Sequence, residues 1–280
     1  MKICSTIEEI RALCRAERTS GKRLGFVPTM GALHEGHLSL VRAAKVSCDV
    51  VAASIFVNPT QFGVNEDLTK YPRNFERDRV LLEKEGVTLL FAPSVEEMYP
   101  AGAVTWVTVE GLNEKLDGRS RPGHFRGVTT VVVKLFHIVE PNAAFFGQKD
   151  AAQVAVIRRM VRDLNFPVEI IACPIVREAD GLAMSSRNVY LDPQQRKQAV
   201  VLHRSLLSMK KAWEAGEREA AALKAAGREE IAKEGLVRLD YLEIVDPDNL
   251  DAVEHAGSGA LVAVAAFVGA TRLIDNIVLV

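Results

Sequence analysis

His34 and His37 stand three residues apart in the stretch Pro28-Thr29-Met30-Gly31-Ala32-Leu33-His34-Glu35-Gly36-His37. On a helix that spacing puts both imidazoles on one face, where both can donate hydrogen bonds to a single group that gathers negative charge. Gly31 and Gly36 let a polyanion or a nucleobase come close to the backbone, and the N–H groups at a helix start attract phosphate. The same pair also fits two plainer roles: core histidines satisfied by local hydrogen bonds, or a metal pair. A metalloprotease-type pair needs i and i+4, and position 38 is Leu38, so H-E-x-x-H is absent. Glu35 falls off the shared face and reads as a solvent-facing acid of the first helical turn.

Three further clusters carry polar chemistry. Gly147-Gln148-Lys149-Asp150 follows an apolar run: Lys149 offers a charge to phosphate, Asp150 an acceptor for ribose hydroxyls, and Gly147 a close approach. Gln153, one turn on, projects a neutral amide toward the same strand end; without it, Lys149-Asp150 would read equally well as a surface cap. Met184-Ser185-Ser186-Arg187-Asn188 has the hydroxyls and guanidinium of a mobile phosphate clamp, although such a turn is also an ordinary solvated loop. In Phe56-Val57-Asn58-Pro59-Thr60-Gln61-Phe62-Gly63, Asn58 and Gln61 suit the hydroxyls and carboxylate of a small polar substrate, with Phe62 or Met30 as apolar contact. Asn-Pro alone would mark only a turn. Asp78 is either a Mg²⁺ ligand near a triphosphate or a helix-surface acid. Arg119, Arg121, His124 and Arg126 form a basic stretch that either draws anions or stays solvated.

Periodic apolar segments place these clusters. A Ser5 or Thr6 cap precedes a helix; strands are expected at Leu24–Pro28, Val50–Val57, Val87–Phe91, Val104–Val109, Ala143–Phe146 and Val168–Cys173. Helices at His37–Ser47, Asn74–Glu85, Gly127–Val139 and Asp150–Asp163 alternate with them. That alternation predicts a doubly wound α/β domain with a parallel sheet, over 1–176. Ligands of such sheets sit at the carboxyl ends of strands, where the first two clusters fall. From 177 to 280 a smaller α+β domain is expected: a long helix from Asp192-Pro193 to about Ala215, a helix over Glu217–Lys233, and β-like stretches at Leu239–Val245, Leu261–Phe267 and Arg272–Val280.

Composition narrows the function classes. The chain has 280 residues, 48% hydrophobic and 25% charged, with Lys+Arg 35 against Asp+Glu 36, which excludes disorder and fibrous repeats. A net charge of -1 argues against nucleic acid as the main partner. Cys4, Cys14, Cys48 and Cys173 are scattered and read as reduced thiols of a cytoplasmic protein. Charges interrupt the first fifteen residues, as no secretory signal core would allow. Uncharged runs such as Ala256–Thr271 fall short of the ~18 apolar residues of a membrane helix.

Taken in order and spacing, Pro28–His37, Phe56–Gly63, Tyr71–Arg73, Phe145–Asp150 with Gln153, and Arg177–Asn188 resemble the pantothenate synthetases. These are pantoate beta-alanine ligases of the H-x-G-H nucleotidyltransferase superfamily, and the likeness covers nearly the whole chain. The resemblance implies a Rossmann-like ATP- and pantoate-binding domain followed by a lid domain. It also implies ATP contacts from Met30, Gly31, Ala32, Leu33, His34, Glu35, Gly36 and His37, from Gly147, Gln148, Lys149 and Asp150, from Val176, and from Met184, Ser185, Ser186 and Arg187. His37 matches the family's catalytic histidine, with His34, Lys149 and Arg187 as further charge-stabilising groups. Gln61 and Gln153 match the pantoate positions, and Gln61 also lies near the beta-alanine site. ATP with Mg²⁺ as cosubstrate, no tightly bound organic cofactor and a homodimer are implied. Gln148 stands where some members carry Glu, and Ala151-Ala152 are smaller than in some relatives. The rivals are a nucleotidyltransferase that needs no amine and a non-catalytic nucleotide sensor.

Overall fold

The computed structural model describes residues 1–64 and 66–280, and the chain divides into two compact units. The first comprises Met1–Asn113, Arg121–Gly147 and Val156–Cys173; the second comprises Glu114–Ser120, Gln148–Ala155 and Pro174–Val280. The first unit begins with a short strand β1 (Lys2–Cys4) that the sequence did not announce, since three residues are too few to show a period. Thr6 then caps α1 (Ile7–Thr19) in a reciprocal box with Glu9. There follow β2 (Leu24–Thr29), α2 (Glu35–Ser47), β3 (Val50–Ile55), α3 (Phe75–Lys84), β4 (Leu89–Phe91) and the short α4 (Val95–Met98). After α5 (Asp117–Ser120) come α6 (His124–Val139), β5 (Ala143–Gly147), α7 (Ala151–Asp163) and β6 (Glu169–Cys173).

Six strands make one parallel sheet in the order β1-β4-β3-β2-β5-β6. From β2 the chain steps outward through β3 to β4, then returns to the opposite side of β2 as β5 and β6. Right-handed crossovers therefore put α2 and α3 on one face and α1, α6 and α7 on the other. The α2/α3 side buries Val27, Val41, Ala44, Val51, Ala53, Leu82, Leu90 and Phe145. The direction reverses between β2 and β5, which is where such sheets open a crevice at their carboxyl ends. The register shows the opening: β2 pairs with β3 as far as Thr29 but with β5 only at Gly25 and Phe26. Pro28, which cannot donate to a ladder, lies in the stretch with no β5 partner.

The second unit contains α8 (Pro193–Ala199), α9 (Val201–Glu214), α10 (Ala220–Ile231) and an antiparallel sheet of β7 (Val237–Val245), β8 (Leu261–Val268) and β9 (Thr271–Val278) in that order. Leu202, Leu206, Met209 and Leu223 close its core over Val262, Val264 and Ala266. One short segment from earlier in the chain, Asp117–Ser120, is tied to this sheet by charge. Arg272 Nη1 donates to Asp117 Oδ1 at 2.7 Å, and its Nη2 to Asp240 Oδ2 at 2.8 Å. Tyr241 donates to Asp117 Oδ2 at 3.2 Å, and burial raises its pKa well above the ordinary tyrosine value.

Two expected elements differ. The strand expected at Val104–Val109 does not form; the segment is irregular, and its backbone partners are hydroxyls of α6. Val107 N–H donates to Thr130 Oγ1 at 3.0 Å, and Thr129 Oγ1 donates to the Val107 carbonyl at 2.6 Å. The long helix expected from Pro193 breaks at Val200 into α8 and α9, where two β-branched valines adjoin.

Candidate active site

The turn leaving β2 is built around two consecutive left-handed residues, Gly31 (φ 80) and Ala32 (φ 50). Such angles are uncommon for a residue with a Cβ. Glycine is needed at the first: a Cβ there would lie 3.1 Å from Asp78 Oδ2 and 3.2 Å from Ile55 Cγ2. Asp78, in the first turn of α3, holds the turn in shape: Oδ2 accepts from Ala32 N–H at 2.7 Å and Oδ1 from Leu33 N–H at 2.9 Å. Arg77 adds a bond to the Leu33 carbonyl at 2.9 Å. At 1% exposure Asp78 is not the surface acid the sequence allowed. The other reading, a Mg²⁺ ligand, must contend with two carboxylate oxygens already engaged by backbone donors.

His34 is the N-cap of α2, a place usually taken by Ser, Thr, Asp or Asn. Its Nδ1 accepts from Gly36 N–H at 3.2 Å, and His37 Nδ1 accepts from His34 N–H at 3.3 Å, so the two rings form a reciprocal capping box. The ring centroids are 4.2 Å apart. A backbone N–H only donates, so each Nδ1 must hold a lone pair; in the neutral ring this puts the proton on Nε2. Each histidine thus carries its donor on the nitrogen remote from its own backbone. Glu35 is exposed and paired with Arg42, as a first-turn acid should be.

After β3 the chain turns through Pro59–Gln61. Asn58, expected to meet substrate, is 1% exposed and fully engaged within the protein. Its Oδ1 accepts from Thr60 N–H, Thr60 Oγ1 and Tyr99 OH at 3.3, 2.9 and 2.9 Å. Its Nδ2 donates to the Gly127 carbonyl at 3.1 Å and to Gln61 Oε1 at 3.0 Å. Asn58 therefore orients the Gln61 amide, whose Nε2 lies 3.0 Å from Met30 Sδ. From α6, His124 Nδ1 lies 2.8 Å from the Gln61 carbonyl and so carries the proton there, while its Nε2 faces Arg121 Nη1 at 2.9 Å. Arg121 in turn makes a two-pronged pair with Glu66 at 2.7 and 2.6 Å. The basic stretch is thus no single patch: Arg121 is paired, His124 is buried, Arg126 covers the Trp106 ring at 4.2 Å, and Arg119 is exposed.

In the second unit, Gln148–Asp150 form a 3-10 turn running into α7. Lys149 Nζ lies 3.5 Å from Asp150 Oδ1, and Gln153 follows Lys149 by one turn and is half-buried. Val176 and Met184 are joined by a backbone bond of 3.0 Å, with Arg177 and Ala183 bridged inside them. Ser185 caps the 3-10 turn Ser186–Tyr190 by accepting from Arg187 N–H at 3.3 Å. Asn188 donates to Glu178 Oε1 at 3.1 Å and to the Ala183 carbonyl at 3.2 Å, which ties the residue after Arg187 to the preceding loop. Asp275 and Asn276 of β9 escaped the sequence reading, although two adjacent polar residues inside an apolar strand were a visible signal. Among the described residues no group of three or more His, Cys, Asp or Glu is placed to hold a metal ion, and no helix is long and apolar enough to cross a membrane.

The family described as pantoate-beta-alanine ligase matches residues 2–278. A pantothenate synthetase of Koribacter versatilis is 62% identical over 279 residues, covering 100% of this chain and 96% of its own. That of Acidobacterium capsulatum is 63% identical over 290 residues, covering 100% and 97%. Among solved structures, pantothenate synthetase from Thermus thermophilus superposes with a TM-score of 0.95 at 51% identity, covering 100% of this chain and 99% of that one. A pantoate-beta-alanine ligase from Francisella tularensis, solved in complex with beta-gamma ATP and beta-alanine, superposes with a TM-score of 0.80 at 34% identity over 99% and 97%.

Proposed function

The chain belongs to the pantoate-beta-alanine ligase family, and from that premise we propose that it joins pantoate to beta-alanine in two steps, the first of which consumes ATP. In the first, the pantoate carboxylate attacks the α-phosphorus of ATP; the new C–O–P linkage forms as the bond to the β-phosphate oxygen breaks and pyrophosphate leaves. In the second, the beta-alanine amine attacks the acyl carbon of the pantoyl adenylate, AMP leaves, and the nitrogen gives up a proton. A carboxylic acid with an ordinary pKa of about 4 is ionised at neutral pH, so the first step needs neither an enzyme nucleophile nor a strong base. It needs position, and donors aimed at charge as it builds.

The single observation that carries this reading is the paired histidine cap. His34 and His37 each spend Nδ1 on a backbone N–H and so bear hydrogen on Nε2, which gives two neutral donors at the carboxyl end of the sheet's central strand. Donors already fixed in direction stabilise a developing negative charge without having to reorient. In this reading Lys149 and Arg187 add positive charge toward phosphate, and Gln61 and Gln153 hold pantoate hydroxyls and carboxylate. Mg²⁺ enters with ATP as part of that substrate. Asp78 is assigned to shaping the turn that presents Met30–Leu33, and Asn58 to orienting Gln61.

The test is AMP release from ATP, Mg²⁺ and pantoate, with and without beta-alanine. A ligase releases AMP in step with amide formation only when both acid and amine are present, and exchanges pyrophosphate into ATP with pantoate alone. AMP formation at full rate without amine, or ATP bound and never consumed, would refute the assignment.

A further inference from the structure

We propose that Asn276, seconded by Asp275, is a positioning residue for the turn that carries Lys149; the inference rests on the reading of Lys149 as a phosphate contact. Asn276 is 3% exposed. Both hydrogens of its amide go to consecutive backbone carbonyls of that turn, Gln148 and Lys149, each at 2.9 Å. Its Oδ1 receives the Gln148 side chain at 3.4 Å. Holding two successive carbonyls fixes two peptide planes, and with them the direction in which the Lys149 side chain leaves the backbone. Successive side chains of a strand point to opposite faces, so Asp275 faces the other way. There it takes both prongs of Arg177 at 2.6 and 2.9 Å, and its Oδ1 also accepts from Asn276 N–H at 2.7 Å. Arg177 in turn donates to the Gly181 carbonyl at 3.0 Å and to the Asn276 carbonyl at 3.3 Å. Two neighbouring residues of the last strand therefore hold the Gln148–Lys149 turn on one side and the 176–184 loop on the other, 128 residues apart in sequence in the first case.

A merely structural role would be to stiffen the edge of the three-stranded sheet. Apolar residues would do that at less cost, because buried polar groups lose water and regain it only through matched partners. Here every partner of the Asn276 side chain belongs to the Lys149 turn.

The experiment compares Asn276→Asp, Asn276→Ala, Lys149→Ala and Tyr241→Phe in the full chain, reading thermal midpoint together with kcat/KM for ATP, pantoate and beta-alanine. Asn276→Asp keeps the shape but removes both donors and sets a negative charge against two carbonyl oxygens. Its kcat/KM for ATP should fall about tenfold or more, with KM for pantoate and beta-alanine within about twofold at saturating ATP. Asn276→Ala, which adds no charge, should show the same selectivity and serves if the aspartate variant does not fold. Tyr241→Phe loosens the same sheet through its bond to Asp117 and should leave the ATP constants unchanged. If Lys149→Ala cripples ATP use while both Asn276 variants keep it within about twofold, or lose all three substrates equally, the proposal is overturned. If Lys149→Ala has no effect on ATP use, the underlying reading of Lys149 falls instead.

Discussion

Gly127→Ala sets two effects of known size against each other. Alanine is the better helix former, worth up to ~1 kcal/mol in an unstrained helix interior, so on propensity alone α6 should gain. The added Cβ, however, would lie 2.3 Å from the Thr60 carbonyl oxygen, 2.5 Å from its carbon and 2.6 Å from Gln61 Cα. All three are backbone atoms, so no side-chain rotation relieves the contact. The Asn58–Gln61 turn must retreat by roughly 1 Å to regain ordinary van der Waals separation. That retreat stretches the Asn58 bond to the Gly127 carbonyl, now 3.1 Å, and the His124 bond to the Gln61 carbonyl, now 2.8 Å. Overpacking costs ~1–3 kcal/mol and the two bonds ~1 kcal/mol each, against the ~1 kcal/mol gained, for a net loss of ~2–4 kcal/mol. Differential scanning calorimetry should show a lower midpoint for the first unit. Steady-state kinetics should show KM for pantoate rising more than KM for ATP, because Gln61 moves and the His34–His37 turn does not. A midpoint at or above the parent's with unchanged pantoate kinetics would show that the contact is soft and that Gly127 has no part in placing Gln61.

His37→Ala should lower turnover far more than ATP affinity, measured by pyrophosphate exchange and equilibrium binding; equal losses would make His37 a ground-state contact. Asp78→Asn puts an NH₂ where a carboxylate oxygen now accepts a backbone N–H, and should cost ~2 kcal/mol of stability and raise KM for ATP, whereas Ala32→Gly, which relieves φ 50, should be harmless. Burial pushes the Glu66 carboxyl up, but its two bonds to Arg121 outweigh this and hold its pKa below the ordinary 4.5. The stability it contributes is therefore full above 4.5 and is lost as the pH falls through the lower folded value. Acid titration of the thermal midpoint should show that limb flattened in Glu66→Gln; an unchanged limb would place the acid sensitivity elsewhere.

The layers of the first unit were legible because a parallel strand buried on both faces reads as a short apolar run, and the helices between such runs carry a 3.6-residue period. The placement of the candidate clusters was legible for the same topological reason, since His34 and Gln61 follow closely on the carboxyl ends of strands and Gly147 ends one. What misled was local pattern without knowledge of partners. Val104–Val109 has the residue types of a strand, but its amide and carbonyl go to Thr130 and Thr129, and a hydroxyl partner on a distant helix leaves no trace in the strand's own sequence. Asp78 read as a Mg²⁺ ligand or a helix-surface acid because the N–H groups it accepts from are 46 and 45 residues away. In the Asn58-Pro59-Thr60-Gln61 stretch both amides read as substrate contacts, yet the Asn58 amide is taken up inside the protein, in part by the Gly127 carbonyl, 69 residues on.

A common logic links these long-range partners. If the attacking group is already an anion, the protein gains little from a strong base and much from donors held still, because a donor that must reorient as charge develops gives back part of its benefit. Four of the donors proposed for the chemistry come with a group that removes their freedom: backbone N–H groups fix the tautomers of His34 and His37, Asn58 fixes the amide of Gln61, and Asn276 fixes the turn beneath Lys149. Those orienting groups are neutral, so they set direction without moving the charge that the donors present. It follows that Asn58→Asp should be worse than Asn58→Ala despite being closer in shape: the aspartate places a charge against the Gly127 carbonyl and Gln61 Oε1, while alanine merely frees them. Kinetics of the two variants at equal thermal stability decide the point, and an aspartate variant that keeps the higher kcat/KM for pantoate would show that Gln61 is held by something other than the Asn58 amide.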